Sequence, residues 1–272
     1  MIRIGIIAGG GELPLLVGKN LIKKNFSVTF FVIKEFFNEN FYSNYQTVKI
    51  HLNSLKEILN HFNKHKIEKI IMLGKVNRPS LKDIKFDIDT FKFIKNNFLE
   101  NKGDNNLLIF LQDYFSKKGF PIFDWSFYCE DLFANKKNLT EKIPSKKAIL
   151  NKDKGLQSFK IFGQSDIGQS MIIQNERILG LESVEGTNEL INRCFSYKKK
   201  GDKGILIKLS KYNQSRILDI PAIGVETMKL LNEFDYEGVF LELNRCLIIN
   251  KIEVIKYADL NNLFIAAINK ID

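Results

Sequence analysis

Three consecutive glycines, Gly9, Gly10 and Gly11, separate the Ile-rich run Ile2 to Ala8 from a helix start at Leu13-Pro14. Residues of these types in this order suit anion chemistry. Glycine admits positive φ and lets a ligand reach bare backbone. Pro14 suits the first turn of a helix, where its missing N–H loses nothing, and the amides at that positive helix end favour phosphate. The competing account is a tight βα turn without a ligand, but three glycines in a row exceed what such a turn requires. The run departs from the dinucleotide fingerprint, because Pro14 stands where Gly or Ala is wanted. Further on, Gly74-Lys75-Val76-Asn77-Arg78-Pro79 follows an expected strand, where open parallel sheets place ligand contacts. Lys75 and Arg78 are phosphate candidates there, with a solvated loop as the alternative. Acids gather at Ser165-Asp166-Ile167-Gly168-Gln169-Ser170, at Glu182-Ser183-Val184-Glu185-Gly186-Thr187-Asn188, and at Asp219-Ile220-Pro221. The proline holds Ile220 extended and aims Asp219 away from any helix. Such carboxylates could bind Mg²⁺ or orient a water; taken singly, each reads as a cap or a surface charge.

The elements that must position these residues alternate in the first half. Strands are expected at Ile2 to Ala8, Val28 to Ile33, Thr47 to Leu52, Lys69 to Leu73 and Pro121 to Trp125, and helices at Leu13 to Lys24, Leu55 to Lys64 and Asn105 to Lys117. Short apolar strands between helices imply a parallel sheet covered on both faces, a Rossmann-like arrangement. Asp83 to Asn101, rich in Phe and Lys, reads as one or two helices packing phenylalanine inward. A stretch dominated by Lys, Asn, Ser and Thr suits a solvated connection, so the expected division is 1–134, a linker 135–154, and a mixed α/β domain 155–272. In that second domain, hairpins are expected around Asn175-Glu176 and around Asn244-Arg245, with Thr187 capping a helix.

Of the 272 residues 44% are hydrophobic and 26% charged, the composition of a chain that buries real cores. No apolar run is long enough to span a bilayer and no signal segment opens the chain, so a cytoplasmic protein is expected. Cys129, Cys194 and Cys246 are far apart and form no C-x-x-C pair, which argues for buried thiols. His61 and His65 have helical i, i+4 spacing but no carboxylate between them, so they read as a solvated helix end. The net charge of +10 comes from scattered lysines without interleaved aromatics, and no nucleic-acid partner is expected. Phosphates or an anionic membrane surface would use that charge equally well.

The six motifs Ala8-Gly9-Gly10-Gly11-x-Leu13-Pro14, Gly74-Lys75-Val76-x-Arg78-Pro79, Gly103-Asp104, Asp166-Ile167-Gly168-Gln169-Ser170, Glu185-Gly186-Thr187 and Asp219-Ile220-Pro221-x-Ile223-Gly224 stand in one order along nearly the whole chain. In that order they resemble the LpxI-type UDP-2,3-diacylglucosamine pyrophosphatases. The resemblance implies Mg²⁺-assisted hydrolysis of UDP-2,3-diacylglucosamine to 2,3-diacylglucosamine 1-phosphate (lipid X) and UMP in lipid A biosynthesis. Water is directed to the phosphorus nearer the glucosamine, and the ligand is held between a Rossmann-like N-terminal domain and a distinct C-terminal one. It assigns the key aspartate to Asp219, and Asp219, Asp166 and Glu185 to the metal. Substrate contacts fall on Gly9, Gly10, Gly11, Lys75, Arg78, Gln169, Gly186, Thr187, Lys208, Lys211 and Gln214. Basic charge together with a lipid substrate suggests peripheral association with the inner membrane, and a homodimer is left open.

One departure stands out. Where the family commonly reads Lys-x-x-Lys-Pro-Gly-Gln-Asp-x-Arg-x-Asp, this chain has Lys208, Lys211, Gln214 and Asp219 in place but Ser215 for the first Asp and Arg216 one position early. With three histidines, none inside the motifs, direct attack by water fits better than a covalent route. Two other readings compete: a nicotinamide-dependent oxidoreductase, with Glu35 after the second strand as a nucleotide contact, and a nonenzymatic nucleotide-sugar-binding protein. Lys34 and Pro14 count against the first.

Overall fold

The computed structural model describes residues 1–52, 54–76, 104–163, 168–212, 217 and 220–270. The chain forms two compact units, Met1–Cys129 with Ile217–Asp219, and Glu130–Arg216 with Ile220–Asp272. The expected segment Asp83 to Asn101 and the residues Arg78, Asp166, Gln214, Ser215, Arg216 and Asp219 lie outside the described residues.

In the first unit the described elements run β1 (Arg3–Ala8), α1 (Leu13–Lys23), β2 (Ser27–Ile33), α2 (Glu39–Tyr42), β3 (Thr47–Ile50), α3 (Leu55–Lys64), β4 (Lys69–Leu73) and α4 (Asp104–Lys117). All four strands are parallel, in the order β3-β2-β1-β4. Their sequences explain the burial: β2, Ser-Val-Thr-Phe-Phe-Val-Ile, is buried at every position after the first, as a strand covered on both faces must be. In α3, Leu55, Ile58 and Phe62 fall on one helical side and are buried, while the Ser54 side chain accepts the Glu57 N–H at its start. Phe62 meets Phe31, Phe115 and Phe120 at ring-centroid distances of 4.9, 5.5 and 5.1 Å. Successive connections leave β1 in opposite directions, toward β2 and later toward β4, so the carboxyl ends of β1 and β4 meet where open sheets place ligands. The strand expected at Pro121 to Trp125 is reduced to one parallel bridge between Ile122 and Ile70. Asp124 ends it by accepting the Ser126 N–H and hydroxyl, which turns the chain.

The second unit contains α5 (Lys146–Phe162), β5 (Ser170–Gln174), β6 (Arg177–Leu181), α6 (Thr187–Phe195), β7 (Ile205–Lys208), β8 (Ala222–Ile223), α7 (Val225–Glu233), β9 (Gly238–Glu242), β10 (Leu247–Ile248), α8 (Lys251–Leu260) and β11 (Phe264–Ile268). Five strands form one mixed sheet, β11-β9-β7-β5-β6, in which β7, β9 and β11 are parallel and β5 runs against both β7 and β6. Strand alternation supplies two apolar faces. Ile172, Leu206, Val239 and Ile265 pack with Leu190, Met228, Leu231 and Val254 from α6, α7 and α8. Met171, Ile173, Ile205, Ile207 and Phe240 pack with Ala148, Leu156 and Phe159 of α5.

The hairpin expected around Asn175-Glu176 is present, with both turn residues at positive φ, 51° and 57°. The one expected around Asn244-Arg245 is not: β9 belongs to the five-stranded sheet and β10 pairs with β8 in a separate one. The chain cannot fold back there because the Asn244 N–H donates to the Ala134 carbonyl and the Cys246 N–H to the Glu242 carbonyl. The linker expected at 135–154 is likewise part of the second unit. Thr140 Oγ1 accepts the Ile265 N–H, and from Lys146 the chain is helical, started by the Ser145 side chain accepting the Ala148 N–H. Its lysines signalled solvent correctly at Lys136, Lys137, Lys146, Lys147 and Lys154, which are exposed, but from Lys146 onward they stand on a helix and not in a linker. All three cysteines are buried, and burial pushes the Cys246 thiol up to about 12.

Gly9 joins the ends of β1 and β4, where a Cβ would stand 2.4 Å from the Lys75 carbonyl oxygen. Gly9→Ala should lower the unfolding free energy by about 1–3 kcal/mol in denaturant titration; wild-type stability would show that the two strand ends are not packed this closely.

Candidate functional site

Candidate residues group within each unit, and each group is described by itself. In the first, the chain leaving β1 is zipped to the chain leaving β4: the Gly9 N–H donates to the Leu73 carbonyl (2.8 Å), the Gly10 N–H to the Lys75 carbonyl (2.7 Å), and the Lys75 N–H to the Gly10 carbonyl (2.8 Å). This revises the reason for the triple glycine. The Gly9 and Gly10 amides are consumed by protein carbonyls, and these residues are small because Lys75 backbone and the Phe36 ring crowd them. Gly11 differs: its φ is +92° and a Cβ there would meet nothing within 4 Å. The α1 N-terminus that follows has no side-chain cap, since Glu12 makes no capping hydrogen bond. The amides of that first turn, together with the exposed Lys75 side chain, are therefore the anion-facing groups of this unit. Arg78, the other cation expected here, lies outside the described residues.

In the second unit, three separated motifs converge on one buried ammonium. Lys208 ends β7, Ser170 opens β5 directly opposite it in the antiparallel register, and Thr187 opens α6. Lys208 Nζ donates to Thr187 Oγ1 (2.5 Å) and Ser170 Oγ (3.2 Å), and Thr187 Oγ1 in turn donates to Glu182 Oε1 (3.0 Å). Glu182 Oε2 lies 3.7 Å from Lys208 Nζ, with the two side chains 12% and 5% exposed. Among the described residues, that oxygen is the one buried side-chain polar atom without a hydrogen-bond partner. A buried carboxylate oxygen left in this state needs an explanation, and here it is the counter-charge to a buried ammonium. Gly186, at φ +82° with open space where a Cβ would lie, brings the chain into α6 so that Thr187 sits at its first turn.

A second knot fixes the chain just after β7. The Ser210 N–H and hydroxyl both donate to Glu242 Oε2 (2.6 Å each), Lys270 Nζ donates to the Ser210 carbonyl (3.1 Å), and the same ammonium lies 4.3 Å from the Tyr212 ring centroid. Arg245 and Lys270 each approach Glu242 Oε1 at 3.9 Å. Lys211 lies within this pinned segment, and Gln169 is tied to it through the Leu209 N–H donating to its carbonyl (2.8 Å). Sequence reasoning placed Thr187, Lys208, Lys211 and Gln169 in the site, and the second unit gathers them at one end of its sheet. It named Glu182 among the acids of a ligand-like turn without carrying it into the expected site, and it passed over Glu242 and Lys270. Glu182 carried a signal, as the first acid of a turn that also holds Gly186 and Thr187.

Among the acids of the second unit, Glu182, Glu185 and Glu242 already hold other partners. Glu185, expected as a ligand, is committed elsewhere: Oε1 accepts from Arg193 Nε (3.1 Å) and Nη2 (2.8 Å), and Oε2 accepts the Ser183 N–H (3.1 Å). Its carboxyl is held below the usual carboxylate range, first by its own backbone amide and then by Arg193. Glu182 already faces an ammonium, and no group of three acid, histidine or cysteine side chains comes together among the described residues. Mg²⁺ wants near-octahedral oxygen donors at about 2.0–2.1 Å, and the described residues do not fit it. What they gather in the second unit is one ammonium, countered by Glu182, with two hydroxyls and the N-terminus of α6, groups whose free donors suit an oxyanion and not a cation. Asp166 and Asp219 lie outside the described residues.

Removing one member of a buried ion pair strands the other. Lys208→Met should therefore lose roughly 3–5 kcal/mol of stability, and the double variant Lys208→Met/Glu182→Met should recover most of it in the same unfolding assay. Additive losses in the double variant would show that the two charges are not coupled.

The profile of the LpxI N-terminal domain matches residues 3–132, and that of the LpxI C-terminal domain matches residues 135–266. The two matches divide within a few residues of the boundary between the compact units at Cys129 and Glu130. The UDP-2,3-diacylglucosamine pyrophosphatase LpxI of Caulobacter vibrioides is 24% identical to this chain over 276 aligned residues, covering 99% of this chain and 98% of the relative. With both of its domains accounted for in order, the chain belongs to the LpxI family.

Proposed function

We infer that this protein hydrolyses the diphosphate of UDP-2,3-diacylglucosamine to 2,3-diacylglucosamine 1-phosphate (lipid X) and UMP, a step of lipid A biosynthesis. The observation that carries this reading is the convergence of Ser170, Thr187 and Lys208 from three motifs of a family whose two domains span the chain. A diphosphate ester presents dense negative charge, and its hydrolysis depends on positioning and on charges that stabilise the transition state. Lys208, buried and oriented by two hydroxyls, supplies a fixed dipole and charge that need no reorganisation during the reaction. The first turn of α1 beside Gly11, and the Lys75 side chain, are suited to phosphate oxygens. Water attacks the phosphorus nearer the glucosamine, the bond to the bridging oxygen breaks, UMP leaves with that oxygen, and one proton is released to solvent or base.

Asp219 is proposed to orient the attacking water, on the strength of the Asp-Ile-Pro constraint and the family match. Mg²⁺ is proposed as the cofactor from the same resemblance; it would supply charge neutralisation at the diphosphate and would depend on Asp219 and Asp166. The acylated substrate and the net charge of +10 support a cytoplasmic protein held at the inner membrane surface. No helix among the described residues is long and apolar enough to cross a membrane.

Purified protein incubated with UDP-2,3-diacylglucosamine and Mg²⁺ should release UMP and lipid X in equal amounts. Asp219→Ala should remove most turnover while leaving the melting temperature and much of the substrate affinity intact, because the lost interaction acts in the transition state. Near-normal turnover in that variant would take Asp219 out of the mechanism, and absence of UMP from the wild type would overturn the reading. Gly11→Val should weaken binding of a UDP-sugar analogue, because a branched side chain would penalise positive φ and cover the α1 amides; unchanged binding by a folded variant would remove this turn from the site.

A further inference from the structure

α5 presents two faces of opposite chemistry. Ala148, Leu156 and Phe159 are buried against the mixed sheet, and Gly155 lies so close that a Cβ there would stand 2.4 Å from Cδ1 of both Ile173 and Ile207. The helix is thus seated by close packing, and its outer face is held in a fixed orientation. That face exposes Ile149 (42%), Leu150 (50%) and Ile161 (72%). Leu150 and Ile161 are three helical turns apart and share one side. Around them stand the exposed lysines Lys146, Lys147 and Lys154, which form no ion pair among the described residues, whereas the nearby Asp153 is already paired with Lys152 at 2.8 Å.

Exposed aliphatic groups occur elsewhere without this setting. On α8, Ile252 and Leu260 are 87% and 76% exposed, but each adjoins an acid, Glu253 or Asp259. Among the described residues the end of α1 also sets an exposed isoleucine, Ile22, beside Lys19, Lys23 and Lys24, but it is the one large aliphatic group exposed on that helix, whereas α5 aligns Leu150 and Ile161 on one side among its cations. Lysine carries its ammonium beyond the apolar surface its own stem covers, so the charges can reach phosphodiester headgroups while the aliphatic groups enter the acyl boundary. We propose that the outer face of α5 docks the protein on an anionic phospholipid bilayer; this rests on the reading of an acylated substrate given above.

Flotation with vesicles of phosphatidylglycerol and phosphatidylcholine, against phosphatidylcholine alone, tests the proposal. The protein should float with the anionic vesicles only, and less so as added salt shortens the screening length. K147E/K154E should reduce partitioning by roughly ten-fold or more, and adding I161S should reduce it further. K64E/K66E, the same charge change at the exposed end of α3, where no large aliphatic side chain is exposed, should leave it within about two- to three-fold of wild type. Melting temperature and hydrolysis of detergent-dispersed UDP-2,3-diacylglucosamine should be unchanged in the α5 variants, which separates docking from folding and catalysis. Equal losses in the two charge-reversal variants would reduce the effect to net charge and overturn the assignment, as would wild-type flotation of K147E/K154E. Self-association in the absence of vesicles, abolished by I161S, would also overturn it in favour of a second copy on this face. A wild type that floats but releases no UMP would instead overturn the functional reading alone.

Discussion

The second unit is organised around a buried ammonium. Lys208 ends the strand at the centre of the five-stranded sheet, where its neighbours are apolar, and a charge placed there is costly unless it is paired and hydrogen-bonded. Ser170, Thr187 and Glu182 meet that requirement from the strand beside it, from the helix start and from the turn between them. The same requirement fixes where the hairpin strands lie against β7 and where α6 begins. Well-packed apolar residues in place of a buried ion pair are often no less stable, so stability alone does not account for this one.

The first unit solves a different problem with backbone alone. Two parallel strands leaving a sheet in neighbouring positions would ordinarily diverge into separate loops, but here Gly9 and Gly10 let the chain after β1 pair with the chain after β4. Gly11 is left in open space at positive φ, and the N-cap residue Glu12 makes no side-chain capping hydrogen bond to the first turn of α1. One unit thus offers amides and an exposed lysine, the other an oriented buried lysine and two hydroxyls. Each is suited to a phosphate oxygen, and among the described residues neither gathers a carboxylate cage for a metal.

Much of this could be read from residue types. Ile and Val runs between amphipathic segments identified the four parallel strands, α1 and α3 almost to the residue, because burial on both faces leaves a continuous apolar signature. The glycines pointed to the right place for a partly different reason, since sequence cannot tell a ligand's approach from that of another strand. The helix α5 was hidden because its exposed lysines outnumber the three residues that pack, and the false hairpin at Asn244 arose because a turn signal says nothing of which sheet receives each arm. The pairing of Glu182 and the role of Glu242 could not be read because their partners, Lys208, Ser210 and Lys270, lie 26 to 32 residues away along the chain. Glu185 misled for the opposite reason: an acid beside glycine and threonine suggested a ligand, and the arginine two turns later in α6 had claimed it.

The central claim is that Lys208 is held in place to act on a diphosphate and is not merely part of the packing. Turnover of UDP-2,3-diacylglucosamine by the folded Lys208→Met/Glu182→Met variant, measured beside its affinity for the substrate, tests this most directly. The account predicts UMP release reduced by at least about a hundred-fold, the scale lost when one preorganised donor to a developing oxyanion is removed, in a protein that melts close to the wild type. Turnover restored together with stability would contradict it and make the buried pair a structural element alone.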